Sequence, residues 1–123
     1  MSSGDDVVAR YFAAVNGEDW STLRNLFTED AVLAATGART RRGRDDVLAY
    51  YPRVLAGYAE HLDRPTRRLD FGSATVVEIT FAGRTVEGRP VAFEAVDVFD
   101  LRDGLIARLG SWYDTAAVAA MLA

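Results

Sequence analysis

The spacing of apolar residues changes once along this chain, after Pro65, and this change constrains the fold more than any other feature. Before Pro65 the apolar residues recur three and four positions apart, which is the period of amphipathic helices. After it they alternate with polar residues, and we place strands at about 67–72, 74–86, 90–101 and 105–113. Helices followed by strands predict an α+β fold with a segregated antiparallel sheet. The length of 123 residues fits one domain, 1–123.

The helical half opens with two predicted helices. Ser3 is placed to cap the first, with Asp6 completing a capping-box pattern three residues on, and Asn16-Gly17 ends it. The second begins at about Trp20. The apolar residues that define these helices are Val7, Val8, Tyr11, Phe12 and Val15 in the first and Leu23, Leu26 and Phe27 in the second.

A short strand and a third helix follow. We predict the strand at Ala31–Ala35 and a loop in the arginine-rich segment 37–44. The acidic pair at 45–46 suits the first turn of the third helix, because negative charge is favourable at the N-terminal end of the helix dipole. We expect the apolar stripe of this helix to reach Tyr58, and Pro52 to kink or divide it.

Two turns and a closing helix complete the predicted order. Residues 87–89 and 103–104 form the turns between the last three strands, and 115–123 form a short helix. A strongly curved mixed or antiparallel sheet wrapped over three N-terminal helices gives a cone-shaped domain. Such a domain leaves a cavity that is open at one end.

The absence of several residue types limits the chemistry of the chain. It has no cysteine, its fourteen basic residues are all arginine, and its one histidine, His61, is expected near the end of the third helix. Thiolate nucleophiles, lysine Schiff bases and histidine-rich metal sites are thereby excluded. No glycine-rich phosphate-binding motif occurs. We therefore expect no metal and no cofactor, and chemistry carried by Asp, Glu, Tyr, Arg and His61.

The charge of the chain bears on its partners and location. A net charge of −4 argues against nucleic acid. No apolar run approaches the roughly 18 residues of a membrane span. The N-terminal stretch is acidic where a signal peptide is basic, so a cytoplasmic location is expected.

The segment "FEAVDVFDL", residues 93–101, places one carboxylate among apolar side chains. Alternation puts Phe93, Ala95, Asp97, Phe99 and Leu101 on one face of the strand. An unpartnered carboxylate on such a face is costly, so it either finds a donor or takes a proton. The alternative is an aspartate that is hydrogen-bonded within the sheet or turned to solvent. Because Asp is also a poor strand residue, we favour a role in a site.

Three segments together resemble the nuclear transport factor 2-like superfamily, and within it the ketosteroid isomerases and SnoaL-type polyketide cyclases. They are "VVARYFAAVNGEDWSTLRNLFTEDAV", "GRDDVLAYY" and "EAVDVFDLRDGLIARLGSWYD". The resemblance covers nearly the whole chain. Limonene epoxide hydrolases share the fold but place an arginine where this chain has Ala95, so water activation of their kind is not expected.

The resemblance implies an oxyanion hole that lacks its usual base. Tyr11 falls where the isomerases have their oxyanion-hole tyrosine, Asp97 where they have a neutral aspartic acid, and Tyr51 where they have a supporting tyrosine. Their general base lies at the end of the first strand. Here that position is Ala35, or Ala34 with a different gap, and neither side chain can accept a proton.

The last strand is expected to present one face to a pocket and the other to a partner. Leu109, Ser111 and Tyr113 alternate onto one side, which by resemblance faces the pocket and contacts ligand together with Phe99. Trp112 alternates onto the outer side. The resemblance implies a homodimer through that outer face, with Trp112 as an anchor.

The arginines at 39, 41, 42 and 44 have two interpretations. They form either a solvated loop or a positive patch that attracts an anionic ligand or an acidic carrier protein.

The resulting hypothesis is a cofactor-independent enzyme of the cyclase or isomerase type that acts on a hydrophobic carbonyl compound, such as a polyketide or a steroid-like enone. Tyr11 and Asp97 would bind the carbonyl or enolate oxygen. Two alternatives stay open, which are a non-catalytic small-molecule-binding or scaffolding domain and an epoxide-opening cyclase or hydrolase.

Overall fold

The structure is a computed structural model that describes residues 6–123, and this part of the chain forms four helices and six strands. Their order confirms the α+β class. In chain order they are α1 Val7–Asn16, α2 Trp20–Arg24, β1 Phe27–Ala35, β2 Arg41–Arg42, α3 Arg44–Leu55, β3 Tyr58–Phe71, β4 Ala74–Thr85, β5 Pro90–Arg102, β6 Leu105–Tyr113 and α4 Thr115–Leu122.

The six strands form one curved, open sheet in the order β2-β1-β6-β5-β4-β3. β1 runs parallel to β6, and all other neighbours are antiparallel. The sheet is therefore mixed, which was one of the two forms expected, and is not wholly antiparallel. The core lies between the inner face of the sheet and the helices, where side chains from α1, α3 and β1 are buried together with those of β4, β5 and β6.

The second helix begins at Trp20 as predicted, whereas α1 begins at Val7, with Asp6 rather than the predicted Ser3 as its N-cap. Asp6 is the N-cap of α1 and its carboxylate accepts a hydrogen bond from the Ala9 N–H at 2.9 Å. Ser3, the predicted cap, lies outside the described residues. The second helix was expected to include Phe27, but α2 ends at Arg24 and Phe27 begins β1.

The largest correction concerns β3, which begins at Tyr58 rather than near 67. Tyr58 and His61 were expected in or near the third helix and lie on this strand instead. α3 ends at Leu55 and runs undivided through Pro52. The start of β3 lacks an apolar alternation because its half-buried residues include His61 and Asp63, and because the register shifts between Tyr58 and Glu60.

Strands β4, β5 and β6 agree with the prediction to within one residue, whereas β1 begins at Phe27, four residues before the predicted start at Ala31. Asp103 and Gly104 both have positive φ, 53° and 78°, as a two-residue hairpin turn requires. The predicted loop at 37–44 contains the two-residue β2. Among the helices of the described residues, none has the length and apolar character needed to cross a membrane.

Candidate functional site

A cavity of about 120 Å³ opens between α1, α3 and the inner face of the sheet. Nine apolar and seven polar residues line it. The polar ones are Tyr11, Tyr50, Tyr51, Tyr58, Asp63, Asp97 and Ser111. Four of the seven are tyrosines, whose rings add to the apolar surface, and aromatic and aliphatic walls with convergent polar groups are typical of small-molecule sites.

Tyr11 and Tyr51 join the two helices at the base of this cavity. The helical stripe of α1 buries Tyr11 and that of α3 buries Tyr51, and their hydroxyl oxygens lie 3.0 Å apart. Burial raises the pKa of both phenols, and the neighbouring Asp97 carboxyl adds to the rise. Both hydroxyls therefore keep their protons at neutral pH. One O–H donates across the pair, which leaves the other hydroxyl free to donate to a ligand.

Asp97 lies on β5 with only 6 % of its surface exposed. Burial raises the pKa of Asp97 to about 7. A hydrogen bond with the Ser111 side chain lowers this pKa, and the nearby carboxyl of Asp63 raises it. At neutral pH a substantial fraction of Asp97 is thus a neutral acid that can donate a hydrogen bond.

Ser111 stands between Ala35 and Asp97 in the sheet. It pairs with Ala35 of β1 on one side and with Asp97 of β5 on the other. All three residues line the cavity. The end of β1 therefore faces the site, and its side chain there is a methyl group that cannot take part in proton transfer.

Three polar lining residues were not predicted as part of the site, which are Tyr50, Tyr58 and Asp63. Asp63 comes from the part of β3 that was not predicted as strand, so its alternation onto the inner face was not visible. Tyr50 precedes Tyr51 on α3, and burial raises its pKa to about 12. The neighbouring Pro65 is the sequence signal that could have identified Asp63, because a proline there argues against a helix through residue 63.

The other predicted ligand contacts are distributed differently. Leu109 lines the cavity. Phe99 lies beneath it, fully buried, with its ring edge-on to Tyr11 at a centroid distance of 5.1 Å. Tyr113 lies beyond the lining residues, and its ring is 5.2 Å from that of Phe93.

The only histidine is tied to a carboxylate near the end of α1. The His61 side chain is 7 % exposed and its Nε2 lies 2.8 Å from a carboxylate oxygen of Glu18. Across residues 6–123 no group of three or more acidic or histidine side chains is arranged to hold a metal ion.

The arginine-rich segment is organised around Asp46. Arg39 forms a salt bridge with the Asp46 carboxylate at 2.8 Å, and the Arg42 N–H donates to it. Arg41 is buried, with its guanidinium 5.6 Å from the centre of the Tyr50 ring. The segment is thus partly packed rather than a wholly solvated loop, and Arg41 fixes one wall residue of the cavity.

The family model of the SnoaL-like domain matches residues 8–109. The chain belongs to this family. The match includes α1, α3 and most of the sheet, and it confirms the resemblance seen in the sequence. No curated protein matches the chain at a significant level.

Solved structures share the fold over nearly the whole chain. An NTF2-like protein of unknown function from Burkholderia pseudomallei has a TM-score of 0.89 at 22 % identity, covering 98 % of both chains. A protein of ketosteroid isomerase-like fold from Catenulispora acidiphila, in complex with trimethylamine, has a TM-score of 0.86 at 20 % identity, covering 95 % of this chain and 92 % of that one. A candidate polyketide cyclase from Sinorhizobium meliloti has a TM-score of 0.74 at 27 % identity, covering 86 % of this chain and 93 % of that one.

Proposed function

We propose that this SnoaL-like protein is a cofactor-independent acid/base enzyme that cyclises or isomerises a hydrophobic carbonyl compound of the polyketide or steroid-like enone class. The observation that carries the proposal is a buried carboxyl, Asp97, in a cavity whose base holds the Tyr11–Tyr51 pair. Carbonyl chemistry needs donors of this kind, because negative charge develops on the oxygen.

In the proposed complex the substrate oxygen accepts hydrogen bonds from Tyr11 and from neutral Asp97. Tyr51 holds the Tyr11 hydroxyl in place through their 3.0 Å contact. When the substrate enolises, the oxygen gains charge while both donors are already held in buried positions. Loss of one such donor typically costs about 100- to 1000-fold in rate.

The wall of the cavity supports an aromatic or conjugated ligand. Its tyrosine rings and aliphatic side chains offer flat apolar surface, and within residues 6–123 no arginine or lysine that would select an anion lines it. The Sinorhizobium meliloti relative is a candidate polyketide cyclase, which agrees with this substrate class.

Binding of 2-naphthol, a planar mimic of a dienolate, tests the proposal by titration calorimetry. We expect micromolar or tighter binding that is strongly weakened by Tyr11→Phe and by Asp97→Asn. Asp100→Asn is the matched control, because it makes the same substitution on β5 at a position outside the cavity lining. Unchanged affinity in both site variants would refute the oxyanion hole. Site-dependent binding without turnover of any carbonyl probe would instead favour the non-catalytic binding domain.

We also propose that two copies pair through the outer face of the sheet. Trp112 is 49 % exposed there and its ring covers Gly110, where an added Cβ would lie 2.5 Å from the ring. Glu94 and Val96 of β5 lie beside it around a shallow groove. Such a mixture of an aromatic anchor with polar and aliphatic neighbours suits an interface better than open water.

A further inference from the structure

Asp63 is a second carboxyl on the wall of the cavity, and the function proposed for Tyr11, Tyr51 and Asp97 gives it no role. It projects from β3, on the far side of β4 from Asp97. Across residues 6–123 its carboxylate oxygens have no hydrogen-bond or ion-pair partner. A half-buried carboxylate that faces a ligand cavity without a partner is available for chemistry.

The backbone of Asp63 is held in place by one side chain. The amide nitrogen of Asn16 donates to the Asp63 carbonyl at 2.9 Å, and the amide oxygen of Asn16 accepts from the Asp63 N–H at 2.9 Å. Asn16 is the last residue of α1. The edge of β3 is thereby fastened to the helix that carries Tyr11, which fixes the position of the carboxylate relative to the donors.

The surroundings of Asp63 and Asp97 favour different protonation states for the two carboxyls. Burial raises the pKa of Asp63, and the neighbouring His61 lowers it. Asp97 is more deeply buried, and two carboxyls that interact do not both ionise readily, so the proton resides on Asp97. The titratable groups that face Asp63 are His61 on β3, Tyr11 on α1, Tyr50 and Tyr51 on α3, and Asp97 on β5, with Glu18 behind His61.

We infer that Asp63 is the general base of this site and replaces the carboxylate that is missing at Ala35. The inference rests on the proposed function. Its observations are a free carboxylate on the cavity wall, a backbone fixed by Asn16, and a methyl group where the base is otherwise expected.

The proton transfer balances within the substrate and Asp63. The carboxylate removes a proton from the carbon next to the carbonyl, the C–H electron pair becomes the C=C bond of the enolate, and the carbonyl π pair moves to the oxygen held by Tyr11 and Asp97. In an isomerisation Asp63 returns the proton to the far carbon of the conjugated system. In an aldol closure the enolate carbon bonds to a second carbonyl carbon, and Asp63 gives the proton to the new alkoxide.

Deuterium exchange at C1 of 2-tetralone isolates this step, because its enolate has the shape of 2-naphtholate. The rate of proton loss in D₂O is followed by NMR with the wild type, Asp63→Asn and Tyr11→Phe. We expect Asp63→Asn to lose about 100-fold or more of the accelerated rate while keeping its affinity for 2-naphthol. Glu60→Gln, a charge loss on the exposed face of β3, is the matched control and should exchange like the wild type.

The outcomes separate the two proposals. Wild-type exchange rates in Asp63→Asn, with loss in Tyr11→Phe, would overturn the base assignment and leave the oxyanion hole standing. Naphthol binding without exchange in the wild type would also overturn the base assignment. Failure of the wild type to bind 2-naphthol would overturn the proposed function itself. Retained naphthol binding in Asp63→Asn shows that the variant is folded.

Discussion

The hydroxyl oxygens of Tyr11 and Tyr51 lie 3.0 Å apart in a buried contact that connects α1 to α3. Each hydroxyl is the polar partner of the other in an aromatic environment that includes Phe99. The pair therefore contributes to stability and, in our proposal, also orients the donor that faces the substrate.

Replacing either tyrosine by phenylalanine should separate these two roles. Both variants leave one buried hydroxyl without its partner, so each should lower the free energy of unfolding by about 1–3 kcal/mol in urea titrations. Only Tyr11→Phe removes the proposed direct contact, and it should weaken 2-naphthol binding by roughly 10- to 100-fold. Equal loss of affinity in the two variants would mean that Tyr51 contacts the ligand as well.

Asp97→Asn should change how stability depends on pH. The pKa of Asp97 rises from 3.8 to about 7 in the folded chain, so between these values the folded state holds a proton that the unfolded state has released. Its contribution to stability is complete below about pH 4 and is lost as the pH rises to about 7. Between about pH 4 and pH 7 the free energy of unfolding of Asp97→Asn should therefore rise relative to that of the wild type by on the order of 4 kcal/mol. Parallel pH profiles of wild type and variant would contradict the raised pKa.

The sequence was sufficient for the sheet where hydrophobic alternation is regular. Along β4 and β5 the inward-facing side chains recur at every second position, and the predicted bounds of β4, β5 and β6 are accurate to within one residue. Asp97 stood out because it interrupts this pattern. Tyr11 could be placed by its helical stripe and by the family resemblance.

The start of β3 could not be predicted in the same way. Its inner face carries polar groups, His61 and Asp63, whose burial depends on the cavity and not on a hydrophobic core. Asn16 and Asp63 are 47 residues apart in the sequence, so no local sequence pattern predicts the contact between them. The residue proposed as the base thus lies where sequence periodicity is weakest.

Asn16→Ala should affect both stability and proton transfer. The change removes two hydrogen bonds at 2.9 Å that fasten β3 to α1, and we expect a loss of about 1–3 kcal/mol in the free energy of unfolding. Because Asp63 then loses its anchor, the exchange rate of 2-tetralone should fall while naphthol affinity changes little. Ser21→Ala, which removes an exposed hydrogen bond between α2 and its N-cap Asp19, is the control. An unchanged exchange rate would show that Asn16 does not position Asp63.

Trp112→Glu should abolish the proposed dimer. The change removes the aromatic anchor and places a second carboxylate beside Glu94, where pairing would desolvate it without a partner. Analytical ultracentrifugation should show twice the chain mass of 13.4 kDa for the wild type and the single mass for the variant. Val86→Glu, a change at another exposed apolar residue, should leave the dimer intact. A wild type that sediments as a single chain at micromolar concentration would rule out this interface.

Ala35→Asp in the Asp63→Asn background should restore part of the lost proton transfer. Ala35 is 8 % exposed, lines the cavity and pairs with Ser111 on the neighbouring strand β6. A carboxylate at this position would therefore enter the site from the end of β1. A general base typically raises the rate of proton transfer by about 100- to 10,000-fold. Because the new carboxylate approaches the substrate from a different wall, we expect it to raise the exchange rate of the Asp63→Asn variant by about 10-fold or more. Ala35→Asn in the same background has nearly the same shape without a base and should recover nothing. If both double variants bind 2-naphthol and exchange 2-tetralone at the same rate, the end of β1 does not reach the reacting carbon.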